Sequence, residues 1–190
     1  MFASVPGPIT TWLSRWRSGA PDALEHIIPL VYDELRGVAR RQLSREPIPN
    51  ALSATTLVHE TYLRLLQQRQ VEAHDRSSFL AVAGCAMRRV LVDQARRRKS
   101  LKRGGRDQPV SLENESPSLL RDDDADQVLD VDAVLQRLEA LDPRAARIVE
   151  CRIFAGLTLE ETAAALDISA KTVQRTWTTA RAWLRKELGT

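Results

Sequence analysis

Nine basic residues, Arg88, Arg89, Arg96, Arg97, Arg98, Lys99, Lys102, Arg103 and Arg106, crowd into positions 88–106 beside a single acid, Asp93. A stripe of that kind supplies phosphate contacts and salt-dependent affinity for nucleic acid. A second polar and basic set lies near the C-terminus. Lys171, Thr172, Gln174, Arg175, Thr178 and Arg181 fall opposite Val173, Trp177, Ala180 and Leu184, which recur at helical spacing. In a major groove, Arg and Lys bond guanine edges or phosphates, and Gln pairs with adenine. The preceding residues supply the rest of a helix-turn-helix: two short helices, a three-to-four-residue turn and a polar outer face on the second helix. Thr158-Leu159-Glu160-Glu161 reads as a capping box, Leu159, Ala163 and Leu166 as an apolar stripe, Asp167-Ile168 as a tight turn, and Ser169 as the next cap. The plainer alternatives are a solvated charged face and an ordinary helical hairpin. Two such basic surfaces in one chain favour nucleic acid over both.

Other chemistries find no support. His59-Glu60-Thr61-Tyr62-Leu63 begins like a zinc-protease motif but has Leu63 where the second histidine belongs, so no metal site is expected. Gly104-Gly105 lacks the spacing and the Lys-Ser/Thr of a phosphate loop. Neither a Ser/His/Asp nor a Cys/His arrangement stands out, so the chain is expected to be no enzyme and to carry no cofactor. Cys85 and Cys151 are far apart in apolar surroundings, which suits buried thiols in a reducing compartment. His26 and His74 are isolated, and Trp12, Trp16, Trp177 and Trp183 read as packing residues.

The elements that must position these residues are all helical, since no stretch alternates with period two. The spacing predicts a short helix over Thr10–Arg17 and a long one from Pro21 to Ser44, kinked or split at Pro29. Glu46–Asn50 is a breaker. A helix over Ala54–Gln70 buries Leu57, Val58, Thr61, Leu65 and Leu66, and one capped by Ser77 or Ser78 runs into Arg96–Lys99. From Gly104 to Asp126 the periodicity stops, which reads as a flexible acidic linker between domains at 1–103 and 127–190. The second domain opens with Val128, Val131, Val134, Leu135, Leu138 and Leu141. Asp142-Pro143 then caps a helix ending at Gly156.

The chain's 190 residues allow one ordinary domain or two small ones, and its 43% apolar residues are enough for packed cores. A net charge of +3 conceals strong segmentation: +1 over residues 1–87, +8 over 88–106, −8 over 107–132 and +2 over 133–190. With no signal peptide and no apolar run of membrane-spanning length, the expected place is the cytoplasm, away from membranes.

Taken together and in order, three stretches resemble the extracytoplasmic-function (ECF) sigma factors, minimal members of the sigma-70 family. Thr55-Thr56-Leu57-Val58-His59-Glu60-Thr61-Tyr62-Leu63-Arg64-Leu65-Leu66 is similar to the family's core-polymerase-binding helix. Phe79-Leu80 through Arg96-Arg97-Arg98-Lys99 is similar to its promoter-melting helix. Thr158–Ala163 with Lys171–Arg175 and Ala180–Leu184 is similar to its upstream-element reader. The resemblance implies an alternative sigma factor that directs promoter-specific initiation. Its partners are promoter DNA and core RNA polymerase, bound on the clamp coiled coil of the largest subunit. It implies core-binding roles for Leu57, Val58, Glu60, Thr61 and Arg64. Start-proximal DNA contacts fall to Asp75, Arg76, Ser77, Arg88, Arg89, Gln94, Arg96 and Arg97, with the loop Ala73–Phe79 lining a pocket for an extruded base.

One departure from the family pattern stands out. Many members begin the core-binding helix with an acidic cluster, and this chain has Ser53-Ala54-Thr55-Thr56. Acids there pair with a basic partner surface and suit a helix N-terminus. Phosphorylation of Ser53, Thr55 or Thr56 by a Ser/Thr kinase would restore that charge, each phosphate adding about −1.5 to −2. Plain helix capping is the alternative role, and an anti-sigma factor the alternative control. Two other classes remain in contrast: a helix-turn-helix regulator acting without polymerase, and an RNA-binding or scaffold protein using the Arg-rich helix.

Overall fold

A computed structural model describes residues 7–44, 53–68, 72–102 and 122–189. Those residues are all-α. Helices α1 (Pro8–Arg17), α2 (Ala23–Ser44), α3 (Ala54–Leu66) and α4 (Arg76–Lys102) form an N-terminal group. Helices α5 (Asp122–Leu141), α6 (Pro143–Val149), α7 (Leu159–Leu166) and α8 (Ala170–Leu188) form a C-terminal group, with α6 continuing into a π-helical segment over Glu150–Ala155. Among the described residues no helix is long and apolar enough to cross a membrane.

The caps explain most boundaries. Ser53 accepts from the backbone N–H of Thr56 at 3.0 Å and starts α3. Asp142 accepts from Ala145 N–H at 3.0 Å and starts α6, with Pro143 in its first turn. Thr158 and Glu161 make the reciprocal capping box on α7, and Ser169 accepts from Thr172 N–H on α8. Gly156 closes the π segment at φ +71°, a left-handed conformation that suits glycine.

Three boundaries correct the sequence expectations. Helix α4 is capped by Asp75, not by Ser77 or Ser78: Asp75 Oδ1 accepts from Ser78 N–H at 2.8 Å, and Ser78 Oγ accepts from Asp75 N–H at 3.0 Å. Helix α2 is not split at Pro29 but continues through it. Pro29 and Glu25 are both exposed, so the carbonyl deprived of its partner meets water. Helix α5 begins at Asp122, so the last residues expected in the linker are helical. Arg103, Arg106 and the rest of that stretch lie outside the described residues.

The two helix groups are packed against each other. One core cluster runs from Leu13, Leu24, Ile27, Leu57, Phe79 and Met87 into Ala125, Val128, Cys151, Ala155 and Leu157 of the C-terminal group. Smaller clusters hold the C-terminal group together: Val134, Leu135, Leu138, Val149, Ala180 and Leu184 in one, Ile148, Ala163 and Val173 in the other. The meeting is close at Gly84, where a Cβ would lie 2.8 Å from the Cα of Ala155. Helix α4 tolerates glycine mid-span because the π segment crosses it there without room for a side chain.

Candidate nucleic-acid interface

Helix α8 presents the polar face that its spacing predicts. Val173, Ala180 and Leu184 are buried, and Trp177 is half-buried against them. Lys171, Gln174, Arg175, Thr178 and Arg181 are exposed on the other side, with Thr172 half-buried at the first turn. Residues 167–169 make the turn from α7, and Asp167 takes the left-handed conformation at φ +52°. Short polar Asp is among the few side chains that bond locally and tolerate this region. The Arg152 guanidinium lies over the Trp177 ring at 5.6 Å and donates to the Leu157 carbonyl, tying the π segment to α8. The arrangement offers three cations and a glutamine amide on one rigid helical surface.

The basic face of α4 is divided. Arg89 and Arg97 are exposed. Arg88 is not: it donates through Nη1 to Asp132 and through Nη2 to Glu150 at 2.9 Å, with the Phe154 ring 5.6 Å away. Its side chain is 12% exposed and that of Asp132 9%. Arg96 also reaches Asp132, at 3.2 Å, and Lys99 reaches Asp126 at 2.5 Å. Partner numbers on α5 fall as those on α4 rise, so α5 runs back along α4. Gln94 is buried, away from any strand in this arrangement. At the start of the helix, Asp75 is the cap, Arg76 pairs with Glu34 on the surface, and Ser77 is half-buried. Ala73 and Phe79, expected in the lining of a base pocket, are fully buried, and Phe79 meets Trp16 edge-on at 5.7 Å.

Four residues that hold the two groups together were not singled out by the sequence: Gln42, Gly84, Asp132 and Glu150. Gln42 Nε2 donates to the carbonyls of Gly84 (3.0 Å) and Phe154 (3.1 Å), and Arg41 donates to that of Ala155 at 2.9 Å. A signal existed. Gln42 stands on the apolar stripe of α2, four residues after Val38 and seven after Leu35. A polar residue at such a position needs buried partners. At the same interface burial raises the Cys151 thiol pKa to about 11. Burial, with Glu150 beside it, pushes Cys85 further still. Cys151 is buried and Cys85 half-buried, and burial favours the protonated form of each.

Over residues 6–190 the sequence matches the profile of the ECF sigma factors. This chain belongs to the ECF sigma factor family. No curated protein matches it. The family are transcription factors that bind core RNA polymerase and promoter DNA. This sigma factor is accordingly an alternative sigma factor directing transcription initiation.

The sigma factor's expected polymerase-binding residues are split between core and surface. Leu57, Val58 and Thr61 are buried, and Thr61 Oγ1 donates to the Leu57 carbonyl at 2.7 Å. They shape α3 from within, and Val58 also forms part of the floor of a groove between α2 and α3. Glu60 is half-buried, and Arg64 donates to Asp93 on α4 at 2.6 Å. Leu66, expected in the buried stripe, is 45% exposed, as is Leu63 at 42%. What α3 does offer is one wall of a shallow groove against α2, lined by Ile28, Pro29, Tyr32, Thr55, His59 and Tyr62.

Proposed function

We propose that this sigma factor reads the upstream promoter element as duplex with α8, captures the melted start-proximal strand with α4, and docks on the clamp coiled coil of the largest polymerase subunit with α2 and α3. The observation that carries the reading is the solvent-facing set Lys171, Gln174, Arg175, Thr178 and Arg181 on a capped helix-turn-helix. Its side chains can hydrogen-bond base edges and phosphates. Thr172 sits at the N-terminal end of α8, where N–H groups face a phosphate. On α4 the exposed Arg89 and Arg97 supply strand contacts. Arg96 is exposed beside them with its tip on Asp132, and Arg88 and Gln94 join them when α5 moves away. Asp75, Arg76 and Ser77 flank the strand at the start of the helix. The exposed Leu63 and Leu66 and the α2–α3 groove give the polymerase an apolar footing, with Glu60 and Arg64 at its polar edge.

The missing acidic cluster is replaced, in this reading, by phosphorylation of Thr55. Ser53 Oγ is committed to the α3 cap and bonds the Thr56 hydroxyl at 2.8 Å. Thr55 is exposed, in the first turn, on the wall of the α2–α3 groove. A phosphate there meets the positive end of the helix dipole and faces a docking partner.

The test is transcription from a promoter library by core polymerase, with and without this chain, using wild-type, Thr55→Glu and Thr55→Ala forms. Promoter-specific initiation that requires both components is expected, strongest with Thr55→Glu. No specific initiation with any form would overturn the sigma reading. Equal initiation by all three would remove the phosphorylation step alone.

A further inference from the structure

Two buried polar atoms where α2, α4 and the π segment meet bond no protein group: Gln42 Oε1, an acceptor, and Arg88 Nε, a donor. The rest of each side chain is committed. Gln42 is 4% exposed, and its Nε2 donates to the carbonyls of Gly84 and Phe154, which fixes the amide plane and the direction of Oε1. Arg88 spends its two terminal nitrogens on Asp132 and Glu150. Both residues line one cavity of about 230 Å³. Gln42 is anchored on Gly84, which lies one helical turn before Arg88, so the acceptor and the donor stand near each other.

The other walls are largely apolar, with Leu91, Val128, Val131, Ile153 and Phe154 around the body and the exposed Gln127 and Leu188 at the rim. A recess of apolar walls with a few convergent polar groups is the usual form of a small-molecule site. Three features narrow the ligand. Size comes first: a cavity of about 150 Å³ holds benzene, so this one has room for roughly ten non-hydrogen atoms. Charge comes second. Arg88 and Arg96 already face Asp132 and Glu150, so an added charge of either sign would be buried without a counterion of its own. Third, the polar end asks for one acceptor and one donor. Water satisfies that end but not the walls, since a buried water needs about two to four polar partners and the apolar side chains offer none.

We propose that this cavity binds a small aliphatic carboxamide, its carbonyl oxygen accepting from Arg88 Nε, its N–H donating to Gln42 Oε1 and its alkyl chain lying along Leu91, Val131 and Ile153. The walls come from both helix groups, so a bound amide stabilises their packing by mass action. The amide is then an inhibitor of initiation. That consequence rests on the proposed reading, in which α4 takes the melted strand once α5 has moved away; the binding itself does not.

The experiment titrates the full chain with three probes of matched size, octanamide, octanoate and methyl heptyl ketone, followed by ligand-observed NMR. Octanamide is expected to bind saturably. Octanoate brings an uncompensated charge and the ketone leaves Gln42 Oε1 unpaired, so each should bind weaker by roughly tenfold or more. Three variants locate the site. Val131→Phe fills the cavity, and Gln127→Phe narrows its mouth from an exposed position. Each takes apolar contact from the ligand and should weaken octanamide by roughly tenfold. His59→Ala alters the other apolar recess, between α2 and α3, and should leave octanamide binding unchanged.

The absence of saturable octanamide binding would mean that water alone fills the cavity and would overturn the proposal. Equal binding of all three probes would do the same, by reducing the site to an unselective apolar hole. So would binding that His59→Ala abolishes and the two cavity variants leave intact. Should Val131→Phe lose its helical circular dichroism, Gln127→Phe decides the location. Promoter-specific transcription with core polymerase at limiting sigma factor is measured in parallel. Octanamide is expected to lower initiation several-fold with wild type and not with Gln127→Phe. No initiation even without the amide refutes the proposed function and leaves the binding result standing, whereas initiation unchanged by saturating amide refutes the inhibition alone.

Discussion

Helices α4 and α8 both carry a set of arginines and lysines, yet the two sets meet different surroundings. On α8 the cations point into solvent from Lys171 to Arg181. On α4 the neighbouring residues Arg88 and Arg89 part company: the first is enclosed by Asp132 and Glu150, the second is exposed. The difference does not lie in either helix. It lies in where the acids fall. The acidic block extends into α5, and α5 lies along α4, whereas the acids Glu160 and Glu161 near α8 sit in the first turn of α7, where Glu161 serves its cap. A basic face is a binding surface only after the chain's own carboxylates have been placed.

The largest effect expected from breaking this contrast is at Arg88. Arg88→Ala removes one partner of a buried charge cluster, which costs about 3–5 kcal/mol. Urea denaturation measures it, and a change below about 1 kcal/mol would place Arg88 in solvent like the cations of α8. On α8 the pattern reverses. Lys171→Ala/Arg175→Ala should leave the urea midpoint within the scatter of ordinary surface changes, about 0.5 kcal/mol. It should still lower promoter-specific transcription by tenfold or more, since each specific base contact is worth about 1–3 kcal/mol.

Smaller effects sharpen the comparison. Ser169→Ala removes the α8 cap and should cost about 1 kcal/mol of stability in the same denaturation assay. It should weaken promoter use mildly, by fraying the turn that Thr172 and Gln174 share. The smallest effect is at Arg97. Arg97→Ala should be neutral to stability and should reduce the salt slope of single-strand binding by about 0.7, the signature of one lost phosphate contact. An unchanged slope would take Arg97 off the strand path.

Much of this arrangement was legible from local signals. The caps at Ser53, Asp142, Thr158 and Ser169, the left-handed Gly156 and the buried stripe of α8 follow from short-range chemistry that leaves a mark in residue type and spacing. The α4 cap was misplaced because Asp75 and Ser78 serve each other, and either could start the helix. Residues 57, 58 and 61 show a deeper ambiguity. A helix that binds a partner and one that packs in a core carry the same apolar spacing, and only the positions of α2 and α4 show that Leu57, Val58 and Thr61 point inward. The contact between the two halves was the least legible. Its residues are far apart in the chain, and nothing at Asp132 or Glu150 distinguishes a carboxylate facing water from one facing Arg88. Only Gln42, a polar residue on an apolar stripe, betrayed it.

The π-helical segment over Glu150–Ala155 makes chain length itself a structural variable. Each i to i+5 turn takes in one residue more than the ordinary ladder. The angular phase of everything after it is therefore offset by the arc of one residue, about 100°. With that offset Cys151 and Ala155 both face α4, and the carbonyls of Phe154 and Ala155 turn toward Gln42 and Arg41. A relative one residue shorter in this stretch would keep every local preference of α6 and still aim a different edge of it at α4. The join between the two halves is thus written in a count of residues as much as in their kinds.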